Sequence, residues 1–309
     1  MPAVLFCSNL DDPEEWRGPL TKLMPDLDLR VYPNFGRADD IDFAMVWRPP
    51  EEGLDQFKNL KAIQSLGAGV NQLNMSKLPP KVAIARLVDS VLSRAMAEFA
   101  VLTALRYHRS LDVYERNSRD KKWEYIIPRP AGQRTVGMLG LGVLGAAAAQ
   151  LLKVAGFKVC GWSRGAKKIE GIECFHGPDG LYQMAATCSI AICLLPLTPE
   201  TQGILNKKLF DAMPQGSYIV NLGRGGHLNE ADLLAAIQGG KIAGATLDVF
   251  NTEPLPGDHP FWNNPRILVT PHVASTGGAD TAAQLVVDNI RLARAGKTLI
   301  NQVDRSKGY

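Results

Sequence analysis

The chain has 309 residues, 46% of them hydrophobic, which is enough for two domains of ordinary size and argues against a single small module. Its formal charge is only +3, with Lys and Arg interspersed among Asp and Glu, so there is no electrostatic footprint for a nucleic-acid partner. The five cysteines, Cys7, Cys160, Cys174, Cys188 and Cys193, are an odd set without close metal-type pairing and fit a reducing, cytoplasmic setting.

In chain order, the apolar run Ala3 to Cys7 follows no basic residue and leads into Asp11, Asp12, Glu14 and Glu15. It reads as a first strand and not as a signal peptide. Pro13 to Met24 is helix-compatible, and Asp28 to Tyr32, Phe43 to Trp47 and Ala62 to Leu66 are short β-compatible runs; together they predict a small α/β layer. From Val91 onward, Leu92, Ala95, Met96, Phe99 and Leu102 recur at helical spacing, predicting one long helix to about Asp120 that bridges two domains.

Beyond Pro128 and Pro130, strands and helices alternate strictly: Thr135–Leu139, Gly145–Ala155, Phe157–Gly161, Ile190–Leu195, Ser217–Leu222, Glu230–Gln238 and Ala243–Val249. Such alternation predicts a parallel sheet covered by helices on both faces. Thr135 to Leu152 is uncharged and about as long as a membrane span, but Gly137, Gly140, Gly142 and Gly145 crowd its first half, which favours a buried strand, turn and helix. A last helix, about Ala279 to Ala295, follows the strand Ile267 to Thr270 and is expected to return to the first domain. The expected division is therefore 1–95 with 280–309 as a substrate-binding domain, and 96–279 as a dinucleotide-binding domain.

The strand Thr135 to Leu139 feeds into Gly140, Leu141, Gly142, Val143, Leu144 and Gly145, followed by a helix-forming stretch, which is the context a dinucleotide fingerprint requires. Gly140 would allow the tight turn, Gly142 the approach of backbone to pyrophosphate, and Gly145 close helix–strand packing. At the end of the next strand stand Ser163, Arg164 and Lys167, with no carboxylate among them. A carboxylate there would read the ribose 2′-hydroxyl of NAD, whereas a hydroxyl and a guanidinium can bind a 2′-phosphate, so NADPH is the expected cofactor, with NADH possible.

Three further stretches are Asn221 to Gly226 with Arg224 at its centre, Leu247 to Pro256 with Asp248 and Glu253, and Thr270 to Ala274 with His272. With the glycine loop, and in this order and spacing, they resemble the D-isomer-specific 2-hydroxyacid dehydrogenase family over nearly the whole chain. Within that family the chain is most similar to the glyoxylate/hydroxypyruvate reductase A type, through Val46 to Pro50, Leu66 to Val70 and Val303 to Tyr309. The resemblance implies an α/β fold, with a doubly wound Rossmann sheet and a smaller flavodoxin-like domain. It also implies reduction of a small 2-keto acid to the D-2-hydroxy acid.

The residue chemistry agrees. An imidazolium at His272 can donate the proton, and Arg224 offers a planar fork for the substrate carboxylate and the keto oxygen. Glu253, as the resemblance implies, would orient His272. The resemblance further places Asp248 near the nicotinamide carboxamide, with Leu195, Pro196, Thr201, Leu222 and Gly223 along the cofactor groove. Ala68 and Gly69 resemble a loop whose N–H groups take the substrate carboxylate. Trp47, Arg48 and Arg86 are candidate substrate contacts, although Arg48 stands where a histidine is expected in that type. Each residue alone has an ordinary structural reading, and it is their joint occurrence that points to catalysis.

Two other functions are compatible with a dinucleotide-binding fold. A non-enzymatic dinucleotide sensor would need an interaction tail that the sequence does not show, and an NAD-dependent oxidative enzyme would want an acidic residue near Ser163. The resemblance implies a homodimer, with the long helix and Trp123 to Ile127 as contacts.

Overall fold

The computed structural model describes residues 2–275 and 277–305, so Ser306 to Tyr309 of the carboxyl-terminal motif lie outside it. The chain divides into two compact units, residues 1–91 with 277–309 and residues 92–276.

In the first unit, β1 (Ala3–Cys7), β2 (Asp28–Val31), β3 (Ile41–Val46), β4 (Ala62–Ser65) and β5 (Ala83–Ala85) form a parallel sheet in the order β2-β1-β3-β4-β5, the flavodoxin-like arrangement. The strands β1 and β3 are buried throughout, and the segments that connect the later strands cover part of the sheet, with Leu54, Phe57, Leu60, Leu73 and Leu78 packed with Leu5, Ala44, Val46 and Ile63. Between β1 and β2, α1 (Pro13–Leu23) starts where Asp12 accepts the Glu14 N–H at 2.9 Å and Pro13 presets the first turn. The last helix, α8 (Ala279–Arg294), joins this unit by polar as well as apolar contacts. Arg294 grips the buried Asp42 with two N–H groups at 2.9 and 3.0 Å, and the buried Asn289 donates to Gln64 at 2.8 Å.

The second unit opens with α2 (Ser90–His108) and α3 (Leu111–Arg119). The single helix expected to reach Asp120 is thus two helices. Ser110, at φ 54°, takes the left-handed conformation and turns the chain, which hydrophobic spacing alone does not reveal. There follow β6 (Thr135–Leu139), α4 (Val143–Val154), β7 (Lys158–Ser163), β8 (Glu173–His176), α5 (Gly177–Thr187), β9 (Ile190–Cys193), α6 (Lys207–Ala212), β10 (Ser217–Asn221), α7 (Glu230–Gln238), β11 (Ile242–Leu247) and β12 (Ile267–Val269).

These seven strands are parallel, in the order β12-β11-β10-β9-β6-β7-β8, a doubly wound Rossmann sheet. Alternate residues feed two cores. Val136, Met138, Ile190, Ile192 and Val220 pack with Met96, Ala100 and Leu152 on one face. Leu139, Ala191, Cys193 and Ile219 pack with Met184, Phe210 and Leu233 on the other. No helix among the described residues is long and apolar enough to cross a membrane.

Candidate active site

Because every strand of the second unit runs the same way, their carboxyl ends share one edge, and the sequence order reverses there between β9 and β6. Ligands of open α/β sheets bind at such reversals. Gly140, just past β6, has φ 106°, and a Cβ on it would lie 2.8 Å from the Leu194 carbonyl oxygen. A Cβ on Gly145 would lie 1.9 Å from the Gly140 carbonyl oxygen, so the close helix–strand approach requires glycine. Gly142 faces open space and caps α4 without a side-chain hydrogen bond, and the first turn of α4 carries no acidic residue. The amides of Val143, Leu144 and Gly145 therefore form a positive helix end that nothing in the helix neutralises, which fits a pyrophosphate.

At the end of β7, Ser163 is buried and its Oγ donates to the Gly165 carbonyl at 2.8 Å, while Arg164 and Lys167 are exposed beside it. Leu195 and Pro196 follow β9, and the Thr201 hydroxyl donates to the Pro196 carbonyl at 2.7 Å. Thr201 thus acts on this wall by holding its backbone. Leu222 and Gly223 leave β10 at the same edge.

Arg224, Glu253 and His272 come from the loops after β10, β11 and β12, three adjacent strands with Asn221 opposite Leu247 and Leu247 opposite Val269. His272 Nδ1 lies 2.8 Å from Glu253 Oε2, and Glu253 Oε1 accepts the Phe250 N–H at 2.9 Å. Burial pushes the Glu253 carboxyl up, but the hydrogen bonds from His272 and Phe250 outweigh it and hold the pKa below its usual value. His272 has φ 56°, a left-handed turn that needs outside support.

Asp248 supplies that support. Nearly fully buried, it accepts from Thr270 Oγ1 at 2.6 Å and from the Val273 and Ala274 N–H groups at 2.9 Å each, clamping both flanks of His272. Sequence reasoning gave Asp248 a cofactor contact and missed this clamp, because the pairing spans more than twenty residues.

The Arg224 guanidinium folds back to donate from Nη1 to the Gly223 carbonyl at 2.6 Å. Burial lowers its pKa and Glu253 opposes the change. Gly225 lets this turn lie against the Glu253 loop: a Cβ there would sit 1.9 Å from the Phe250 carbonyl carbon. Two residues without an assigned role in the sequence hold the turn. Asn221 accepts the Gly223 N–H at 3.2 Å and donates to the Arg224 carbonyl at 2.9 Å, and His227 Nδ1 accepts the Arg224 N–H at 3.0 Å.

In the first unit, Trp47, Leu66 and Arg86 directly follow the adjacent strands β3, β4 and β5. The Trp47 ring lies across the next loop, so close that a Cβ on Gly67 would be 2.7 Å from it. Ala68 and Gly69 are half-buried in that loop, where the Gly69 carbonyl accepts from Ser65 Oγ and Gln72 Nε2 at 3.0 Å each. Arg48 is exposed, and Arg86 donates its N–H to the Asn301 carbonyl at 3.1 Å.

The profile described as D-isomer specific 2-hydroxyacid dehydrogenase, NAD binding domain, matches residues 101–274. The chain belongs to this family. As a family member it is an enzyme, a 2-hydroxyacid dehydrogenase that uses a nicotinamide dinucleotide. It is 39% identical to glyoxylate/hydroxypyruvate reductase A of Yersinia enterocolitica, over 99% of each chain. Its fold is similar to that of a D-isomer specific 2-hydroxyacid dehydrogenase from Xanthobacter autotrophicus Py2 solved with NADPH and MES, at TM-score 0.95 and 42% identity, covering 100% of this chain and 99% of that one. An NADPH-dependent glyoxylate/hydroxypyruvate reductase from Sinorhizobium meliloti, solved with NADP and sulfate, matches at TM-score 0.91 and 34% identity, covering 99% and 100%.

Proposed function

We propose that the chain is an NADPH-preferring reductase of small 2-keto acids of the glyoxylate/hydroxypyruvate class, giving the D-2-hydroxy acid. The observation that carries the chemistry is the His272 Nδ1 to Glu253 Oε2 pair at 2.8 Å, in the loops after β12 and β11, with Arg224 in the loop after β10, the next strand of the sheet. A reduced nicotinamide, when bound, would supply the hydride for the reduction. Gly140, Gly142, Val143, Leu144 and Gly145 hold its pyrophosphate, and Ser163, Arg164 and Lys167 take the 2′-phosphate. Leu195, Pro196, Thr201, Leu222, Gly223 and Asp248 shape the rest of the groove.

With Nδ1 committed to Glu253, His272 presents Nε2, which gives its proton to the keto oxygen as that oxygen gains charge. Glu253 stays ionised and fixes the orientation of the ring, which takes its proton back from solvent. Arg224 balances charge on the carboxylate and on the developing alkoxide. In the first unit, Ala68 and Gly69 donate backbone N–H groups to the carboxylate, while Trp47, Arg48 and Arg86 contact the substrate. That makes the first unit the substrate-binding domain and the second the dinucleotide-binding domain.

Support for the cofactor choice comes from the absence of a carboxylate at the end of β7 and from the relatives solved with NADPH or NADP. Following cofactor absorbance across a panel of 2-keto acids, with NADH run in parallel, should give turnover of glyoxylate and hydroxypyruvate and about tenfold or greater preference for NADPH, the value of roughly one charge-assisted contact. Equal efficiency with both cofactors would show that Ser163 and Arg164 do not read the phosphate.

A homodimer is part of the same proposal. Trp123, Tyr125 and Ile127 are 101%, 81% and 80% exposed on a segment without regular structure, and Leu102 and Leu105 are exposed on α2. So much apolar surface calls for a covering partner. Sedimentation at micromolar concentration should give twice the chain mass, and a monomer there excludes the dimer.

A further inference from the structure

We infer that His227 is a positioning residue for Arg224: as a neutral imidazole with Nδ1 as acceptor, it fixes the turn from which the guanidinium projects. The inference rests on the reading of Arg224 as the substrate-gripping residue. The sequence offers no pointer to it, since His227 lies beyond the Arg224 motif and carries no chemistry the reduction needs.

The geometry is specific. Residues Gly225 to His227 form one 3-10 turn, and His227 closes it twice, donating its own N–H to the Arg224 carbonyl at 3.1 Å and accepting the Arg224 N–H on Nδ1 at 3.0 Å. The imidazole has no solvent exposure. It lies flush against the residue before Arg224: a Cβ on Gly223 would be 2.9 Å from both Nδ1 and Cε1 of the ring. Nε2 is buried and faces the Pro196 carbonyl without a well-formed hydrogen bond. His227 therefore fills the space between the Arg224 turn and the Leu195–Pro196 backbone, two segments given separate tasks above.

This placement reaches the guanidinium through the backbone. Arg224 Nη1 donates to the Gly223 carbonyl, so the direction of the fork depends on the orientation of the Gly223 peptide, which the imidazole packs against. Without the acceptor, the Arg224 N–H is left unpaired and the turn is free to rotate toward another partner. A displacement of about 1 Å in a substrate-positioning group is enough to cost about 100-fold in turnover.

The protonation state follows from the same contacts. A hydrogen on Nδ1 would collide with the Arg224 N–H already directed there, so only the tautomer with the proton on Nε2 fits. Burial pulls the His227 pKa below its ordinary value; contacts with the Pro196 and Arg224 backbones oppose this, and the Arg224 charge adds to it. The neutral ring is thus the state in which the turn is closed.

Three variants test the assignment, each assayed for kcat and KM toward a 2-keto acid and for NADPH affinity by fluorescence titration. His227→Leu should lose about 100-fold in kcat/KM, with KM raised and kcat lowered, while NADPH affinity stays within about threefold of wild type. His227→Asn places an amide oxygen where Nδ1 was and should recover most of that loss. His227→Gln places its polar atoms near Nε2 and should not.

Near-normal kcat/KM in His227→Leu overturns the assignment, as does equal behaviour of the Asn and Gln variants. Should the variants fail to fold, nitrogen-15 NMR of the wild-type imidazole at neutral pH decides: an unprotonated Nδ1 supports the assignment, and a protonated Nδ1 ends it. If the wild-type chain reduces no 2-keto acid, the proposed function fails, and the NMR result still reports the imidazole geometry separately.

Discussion

Replacing His272 by Ala is expected to slow keto-acid reduction by about 100-fold to 10,000-fold, the usual span for loss of a positioned general acid, with NADPH affinity unchanged. The expectation follows from how the ring is held. Nδ1 is committed to Glu253, Asp248 clamps the chain on either side, and the left-handed backbone at His272 leaves the imidazole little freedom. The glycine-lined helix end where the pyrophosphate is proposed to bind follows β6, four strands along the sheet from β12, so cofactor binding should survive the change. Stopped-flow measurement of cofactor oxidation in a single turnover, beside a fluorescence titration of NADPH, separates the two effects. A single-turnover rate within a few-fold of wild type would remove His272 as the proton donor.

Glu253 adds a pH signature to the same experiment. Its folded pKa is lowered, so its contribution to stability is fully present above the carboxyl group's ordinary titration range and disappears as the pH falls through the lower folded value. The His272–Glu253 pair should therefore persist across neutral pH and fail only in acid.

Much of this arrangement was legible in the sequence because it rests on local rules. The glycine loop declares itself through a strand before it and a helix after it. The motif residues Arg224, Glu253 and His272 likewise fall just past strands that alternate with helices, so their placement at one edge follows from strictly parallel topology. Other features are harder to read. The break at Ser110 depends on one left-handed serine within a hydrophobic pattern that continues into Leu111 and Val113. The strand β8 is an edge strand whose residues are exposed or half-buried, and β5 is only three residues long, so neither has a hydrophobic signature. The tasks of Asp248 and His227 lie outside any local rule. One depends on a pairing across the sheet edge, the other on a ring filling a space between two loops.

Replacing Arg224 tests the other half of the chemistry, and two substitutions divide its labour. Arg224→Ala removes both the charge and the fork. It is expected to lower kcat/KM by about 1,000-fold, near the upper value for loss of one oxyanion-stabilising donor, because the substrate carboxylate also loses its partner. Arg224→Lys keeps a charge but not the planar pair of donors, and it also gives up the Nη1 bond to the Gly223 carbonyl that sets the direction of the group. It should recover only about a tenth of the loss, since a flexible ammonium must find by chance the position the guanidinium holds by design.

Carboxylate grip and oxyanion stabilisation separate when the substrate is changed as well. For a 2-keto amide, which lacks the negative carboxylate, Arg224→Ala should cost markedly less than it does for the keto acid, and the difference between the two losses measures the carboxylate contact. Equal losses for acid and amide would confine Arg224 to the keto oxygen. Unimpaired kcat/KM for the acid would show that the guanidinium serves neither group, and the Asn221 and His227 contacts would then hold a turn with no catalytic purpose.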